Sequence, residues 1–130
     1  MLTQNQMRAK VYNAITNDLT LTGLIDDRLY WIQKPTETDV YPLITYKFVD
    51  TIPDYSFGGP GINAQSEEYT VQLDVYTGSN DIVVMDNICE QLKVVMSAEC
   101  MRLINSNVEF APDGLQDKIV RPQRWEYINV

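Results

Sequence analysis

Carboxylates are the only plentiful reactive groups in this chain of 130 residues: 18 Asp and Glu stand beside two cysteines and no histidine. Two carboxylate pairs are spaced to share an element. Glu68 and Asp74 fall on one side of an alternating, strand-like segment, but six residues at about 3.3 Å each separate them by roughly 20 Å. Paired carboxylates that cleave glycosides sit about 5–10 Å apart, so this pair is too wide. Asp86 and Glu90 are i, i+4 on a predicted helix, away from its Met row and with Lys93 beyond them; they read as a solvated face. The adjacent pairs Asp26-Asp27 and Glu67-Glu68 lack the alternating oxygen spacing of a calcium loop. Gly58-Gly59-Pro60-Gly61 lacks the Lys-Ser/Thr and the strand–helix context of a phosphate loop. Its neighbours Asp50, Asp54, Glu67 and Glu68 would repel a phosphate. Without histidine, the Ser/His and Cys/His nucleophile systems and the usual zinc ligands are gone. The expectation is a protein that is not an enzyme, binds no metal and needs no cofactor.

Charge narrows the class further. Lys and Arg number 10, for a formal net charge of −8 and a pI near 4.3. Gripping nucleic acid takes many cations on phosphates, and anionic lipid asks the same, so neither partner is expected. Residues 1–10 carry two basic side chains with no apolar stretch behind them, and no secretory signal is expected there. No apolar run approaches the roughly 20 residues of a membrane helix. Cys100 lies at least eight helical residues from Cys89, about 12 Å, past the roughly 7 Å that a disulfide tolerates. Both thiols are expected free, Cys89 as a small core residue, which fits a reducing compartment.

The elements that would position these groups follow from periodicity. Thr3 and Gln6 have the spacing of a capping box, and Leu2 with Met7 that of a hydrophobic staple. Met7, Val11, Ala14 and Ile15 then mark one face of a helix over 4–18, closed by Thr20–Gly23. Arg28–Ile32 reads as a short strand. Leu43–Val49 reads as a buried one with Ile44, Tyr46 and Phe48 on one side; Pro42 suits its start and holds Tyr41 extended. Residues 50–66 contain three Gly and two Pro and are expected to be one long loop. Glu67–Thr77 alternates cleanly: Tyr69, Val71, Leu73 and Val75 oppose Glu68, Thr70, Gln72, Asp74 and Tyr76, a half-solvated antiparallel strand. A second helix is expected over 80–97, capped from Gly78-Ser79-Asn80. A last hairpin over 102–110 and 118–129 would turn at Pro112-Asp113-Gly114. One α+β domain of order α-β-β-β-α-β-β, with a mostly antiparallel sheet, accounts for residues 1–130. With 45% hydrophobic residues it is large enough to bury roughly 65–70% of its unfolded surface.

The charges are unevenly spread. Residues 50–68 hold Asp50, Asp54, Glu67 and Glu68 and no cation, whereas 118–130 hold Lys118, Arg121 and Arg124 against Glu126. An acidic loop and a basic terminal strand could meet head to tail between copies, the kind of contact that builds rings. Equally, the charges could simply decorate a surface. Both readings stand on sequence alone.

Several segments, taken in order, resemble a known family. Pro42-Leu43-Ile44-Thr45-Tyr46 comes first, then Thr51-Ile52-Pro53-Asp54-Tyr55-Ser56. Glu68 follows, ahead of Val71-Gln72-Leu73-Asp74-Val75-Tyr76 and an apolar helix. The set is similar to the small tail-completion or tail-terminator proteins of long-tailed bacteriophages and prophages. The likeness runs from the first helix through the second and is strongest over 42–76. It implies an α+β sandwich with two amphipathic helices on one face of the sheet, and a hexameric ring of this chain at the head-proximal end of a tail tube in the virion, assembled in the host cytoplasm. It further implies contacts with the tail tube protein and a head connector protein, with DNA passing through unbound and no membrane involved. On that reading Asp54, Tyr55, Ser56, Phe57, Gly58 and Gly59 form a contact loop with Tyr55 and Phe57 as anchors. Glu68 and Asp74 line a second surface, and Arg121 and Arg124 meet an acidic neighbour. Acidic residues would face the channel. Tyr55 and Phe57 covering the domain's own core is the alternative. A head–tail connector adaptor, or a small acidic adaptor or inhibitor, are the competing functions.

Overall fold

The computed structural model describes residues 2–32, 40–54, 66–106, 109–110 and 118–129. Helix α1, Gln4–Thr16, starts as its sequence dictates: Thr3 Oγ1 accepts from the Gln6 amide at 3.2 Å, and Gln6 Oε1 accepts from the Thr3 amide at 2.8 Å. The reciprocal pair satisfies two donors that a helix start leaves open. Met7, Val11 and Ile15 face the core. The helix ends at Thr16 rather than 18, and a second helix, α2 (Leu19–Ile25), replaces the expected closure over Thr20–Gly23. Asp18 is the cause: its Oδ2 accepts the Leu21 amide at 3.0 Å, the ordinary role of an N-cap. Leu21 and Ile25 are buried as a result. Gly23 lies inside α2, and a Cβ there meets nothing within 4 Å. Gly23→Ala is therefore expected to raise unfolding free energy by about 0.5–1 kcal/mol in denaturant titration.

Helix α3, Ile82–Ala98, buries Met85, Ile88, Cys89, Leu92, Val95 and Met96, the row read from the sequence. It begins two residues later than expected. Asp81, not Asn80, occupies the cap, without a side-chain hydrogen bond. Its far end closes as a Schellman motif: the Met101 amide reaches Met96 O at 3.2 Å and the Cys100 amide reaches Ser97 O at 3.1 Å. That motif puts Cys100 at φ 62, the left-handed conformation glycine favours, with its side chain exposed. Cys100→Gly is expected to stabilise the fold by about 1 kcal/mol, read as a rise in thermal midpoint. No change or a loss would show that the thiol contributes packing its exposure does not reveal.

Among the described residues six strands form one sheet: β1 (Leu29–Trp31), β2 (Leu43–Asp54), β3 (Ser66–Gly78), β4 (Arg102–Ser106), β5 (Glu109–Phe110) and β6 (Lys118–Asn129). Five lie in the order β1-β2-β3-β6-β4, and β5 pairs β6 off that path. Of these pairs β1 and β2 run parallel and the rest antiparallel. The class is α+β with a mostly antiparallel sheet, as expected, but the described residues form three helices and six strands where two and five were read. Residues 50–54 and 66, expected within one long loop, are strand: β2 continues through Asp54 and β3 opens at Ser66, paired from Asp50↔Thr70 to Asp54↔Ser66 after a bulge at Phe48/Asp50, while 55–65 lie outside the described residues. Cross-strand pairing outweighs the weak strand propensity of Asp and Pro. Among the described residues no strand flanks β2 beyond Tyr46 on its other side, and Pro53 occupies the kind of edge position proline tolerates. Pro122 of β6 is accommodated likewise. It falls between the last pair of β4, Ser106↔Gln123, and the nearer pair of β5, Glu109↔Val120. The expected turn at Pro112-Asp113-Gly114 lies outside the described residues.

Ile44, Tyr46, Tyr69, Val71, Leu73, Val75 and Trp125 share one buried cluster with the helices. Trp31 stacks edge-on against Tyr46 and Phe48 at 5.0 and 5.4 Å, extending that core to the β1 edge. One amide sits in its middle. Gln123 is fully buried, donating to Cys89 O at 3.3 Å and accepting from Trp125 Nε1 at 3.1 Å.

Candidate functional site

The side of the sheet turned away from the helices carries the polar residues that alternate with the core set. Register aligns Thr70 with Glu126 and Gln72 with Arg124 on β3 and β6, and brings Arg102 of β4 opposite Glu126. Two short polar chains result. Arg124 Nε donates to Gln72 Oε1 at 3.0 Å, and Gln72 Nε2 donates to Asp74 Oδ1 at 2.8 Å. Arg102 Nη2 donates to Glu126 Oε2 at 2.8 Å. That hydrogen bond holds the Glu126 carboxyl below its ordinary value of 4.5, and a hydrogen bond with Glu68 adds to the effect. A carboxyl depressed by folding contributes stability above its unfolded pKa, and this is lost as pH falls through the folded value. Glu126→Gln should therefore lower stability at neutral pH and flatten the acid limb of the stability–pH curve below about 4.5, the variant and wild type converging in acid; an unchanged acid limb would show the pair does not act.

The expected interaction residues are placed very differently. Glu68 and Asp74 do share the outer face, but Asp74 is only 8% exposed, covered at the end of the sheet where Leu43, Thr45 and Val120 are also buried. The simple half-solvated reading of that strand needs this correction: alternation set the face, and neighbouring side chains close one end of it. Arg124 is exposed on this face. Arg121 is on the opposite side, half-buried, and its Nη1 meets Asp86 Oδ1 at 2.8 Å, tying β6 to α3. Asp86, read from sequence as part of a solvated stripe, is thus half of a tertiary strut. Asp54 is the last residue of β2. Tyr55, Ser56, Phe57, Gly58 and Gly59 lie outside the described residues.

The helical side offers a groove of about 320 Å³ lined by Lys10, Asn13, Asn17, Asp18, Val95 and Glu99. Its charged groups are committed within the chain. Lys10 Nζ bonds Glu99 Oε2 at 2.9 Å, which holds the ammonium pKa above its usual value. Asp18 caps α2 and accepts the Gln91 amide at 3.1 Å. The Cys89 thiol is pushed up by burial, against the nearby Arg121 charge, and so is held as the neutral thiol, the unreactive form. Among the described residues no group of His, Cys, Asp and Glu is arranged to hold a metal ion. No described helix is long and apolar enough to cross a membrane. The arrangement is a polar sheet face, on which Arg124–Gln72–Asp74 and Arg102–Glu126 are hydrogen-bonded, backed by a helical layer.

No sequence-defined protein family matches the chain. No curated protein matches it either. Solved structures do: a chain from the virion of a native gene transfer agent particle is 12% identical, with 93% of this chain and 92% of that chain covered at a TM-score of 0.72. At that identity the likeness is one of fold alone.

Proposed function

We propose that this chain is a structural, non-enzymatic component of a phage-type virion, acting as a ring that caps the head-proximal end of the tail tube. The observation that carries the reading is the near full-length fold likeness to a chain of a virion particle, joined to the ordered segments over 42–76 that resemble tail terminators. The side chains agree with it. Histidine is absent from the sequence, and Asp18, Glu99 and Asp86 are engaged in a helix cap and two ion pairs. In this role the ring ends tube growth and presents a surface to the head connector, while a net charge of −8 per copy keeps passing DNA from adhering. The segment holding Asp54, Tyr55, Ser56, Phe57, Gly58 and Gly59 supplies one contact in this scheme; Glu68, Asp74 and Arg124 belong to the sheet face, and Arg121 supports it from behind.

Co-sedimentation with assembled tail tubes, imaged for added density at one tube end, tests the role. A ring at a single end, and tubes of fixed length, are expected. Persistent absence of that ring, or binding only to isolated head connectors, rejects the tail-capping role. Replacing Tyr55 and Phe57 together with Ala should abolish tube joining. Loss of thermal stability with joining intact would instead assign both rings to the domain's own core.

A further inference from the structure

We infer that the outer edge of β1 is a docking site for an extended segment of a partner protein, added as a further strand and carrying an acidic side chain to Arg8. The site goes beyond the tube-capping role and does not depend on it. Its first mark is an edge left open. Arg28 O accepts the Ile44 amide and the Ile32 amide donates to Tyr46 O, both at 2.9 Å. Alternate residues of β1 thus bond to β2, and the backbone groups of Leu29 and Trp31 turn the other way. The Leu29 amide is taken up by Asp27 O at 2.9 Å. Leu29 O and both backbone groups of Trp31 remain, and among the described residues no strand lies on that side. An added strand is what pairs such groups.

The second mark is Ile32, at φ 70. A left-handed backbone is strained for a β-branched residue, and the side chain returns little packing, being 56% exposed. Glycine would suit the fold better there, so the isoleucine serves something outside the fold. Around it stand Trp, Tyr and Arg, the residue types enriched in binding hot spots. Arg8 of α1 lies 5.2 Å over the Trp31 ring, and Tyr12, one turn on, is 46% exposed.

Charge specifies the occupant. Lys10, Arg28, Lys93, Arg102 and Arg121 each meet a carboxylate of this chain. Arg8 is exposed and bonds the neutral side chain of Asn5 at 3.0 Å, and no described carboxylate pairs with it. A strand bearing Asp or Glu among apolar residues would neutralise Arg8 and cover Trp31 and Ile32 together. β4, at the other end of the sheet, is a poorer dock. A register shift breaks it between Leu103 and Asn105, and Arg102 already holds Glu126. The devices that blunt an edge, a lysine, a proline or a bulge, are absent from Leu29–Trp31. That strand has only three residues, so the side chains around it must supply much of the affinity.

NMR titration of the full chain with a capped peptide of about ten residues, Val and Thr alternating around one central Glu, tests the site. Shifts should centre on Arg8 and Leu29–Trp31, and exchange of the Trp31 amide should slow. The same peptide with Lys in place of Glu should bind about tenfold more weakly, and Arg8→Glu should reverse that preference. A Glu peptide N-methylated at alternate residues cannot pair and should not bind. Ile32→Gly should raise the thermal midpoint yet weaken the Glu peptide, opposite signs that a residue serving only the fold would not show. No binding, shifts elsewhere, equal affinity for the two charges, or an Ile32→Gly chain that loses stability would each overturn the proposal. Protection of the Trp31 amide that grows with protein concentration alone would assign the edge to a second copy and overturn it too. None of these outcomes bears on tube capping, which co-sedimentation decides.

Discussion

Trp125→Ala is expected to lower the unfolding free energy by about 3–5 kcal/mol, measured by urea titration. The side chain is 1% exposed at the centre of β6, against Val71 of β3 in register. Truncation opens a cavity between sheet and helices and also removes the donor to Gln123 Oε1, an atom of a fully buried amide. Single domains have only about 5–15 kcal/mol in reserve, so the variant should be partly unfolded at growth temperature. Trp125→Phe separates the contributions. It keeps most of the apolar volume but leaves the Gln123 oxygen without its donor, at a cost of about 1–3 kcal/mol. Equal losses from the two variants would mean that the hydrogen bond, not the cavity, dominates. A loss under about 1 kcal/mol for Trp125→Ala would show that the sheet repacks freely.

Asp18→Ala should cost about 1–3 kcal/mol, from two contributions that one carboxylate makes at once. Its Oδ2 caps α2 through the Leu21 amide, and the same group accepts Gln91 Nε2 of α3 at 3.1 Å. Without it, the turn between α1 and α2 loses both its local stop and its tie to the third helix. Asp18→Asn retains a capping oxygen and should recover most of the loss, since Asn is as good an N-cap as Asp. Gln91→Ala removes only the tertiary tie and should cost the smaller share. If Gln91→Ala proves as damaging as Asp18→Ala, the cap is not what makes α2 a separate helix.

Much of this architecture was legible in the sequence, for identifiable reasons. The capping box at Thr3 and Gln6, the Met row of α3 and the alternation over Tyr69–Val75 are local signals, each complete within a few turns or strand residues. Local geometry makes such signals nearly independent of the rest of the chain. Apart from the start of α3, the errors fell where a distant partner takes part. Asp18 reads as the tail of one helix until Gln91 and the buried Leu21 and Ile25 make it the start of another. Residues 50–54 read as loop by composition and become strand because 66–70 lie opposite.

The candidate surface divides the same way. Composition alone, with no histidine and a net charge of −8, spoke against histidine-dependent catalysis and nucleic-acid binding, since side-chain chemistry is a property of residue types. Alternation alone put Glu68, Gln72 and Asp74 on one face and set Arg124 on the side opposite Trp125. Only the tertiary structure decided which of these charges remain available. Asp74 is closed over at one end of the sheet, Arg121 is taken up by Asp86 across the core side, and Arg124 stays in the open beside Gln72. The physical reason is that a side chain's face follows from strand and helix periods, which a sequence displays. Its exposure and its charge partner depend on strand register and on helices packed from far along the chain, set by contacts between residues that no short window contains.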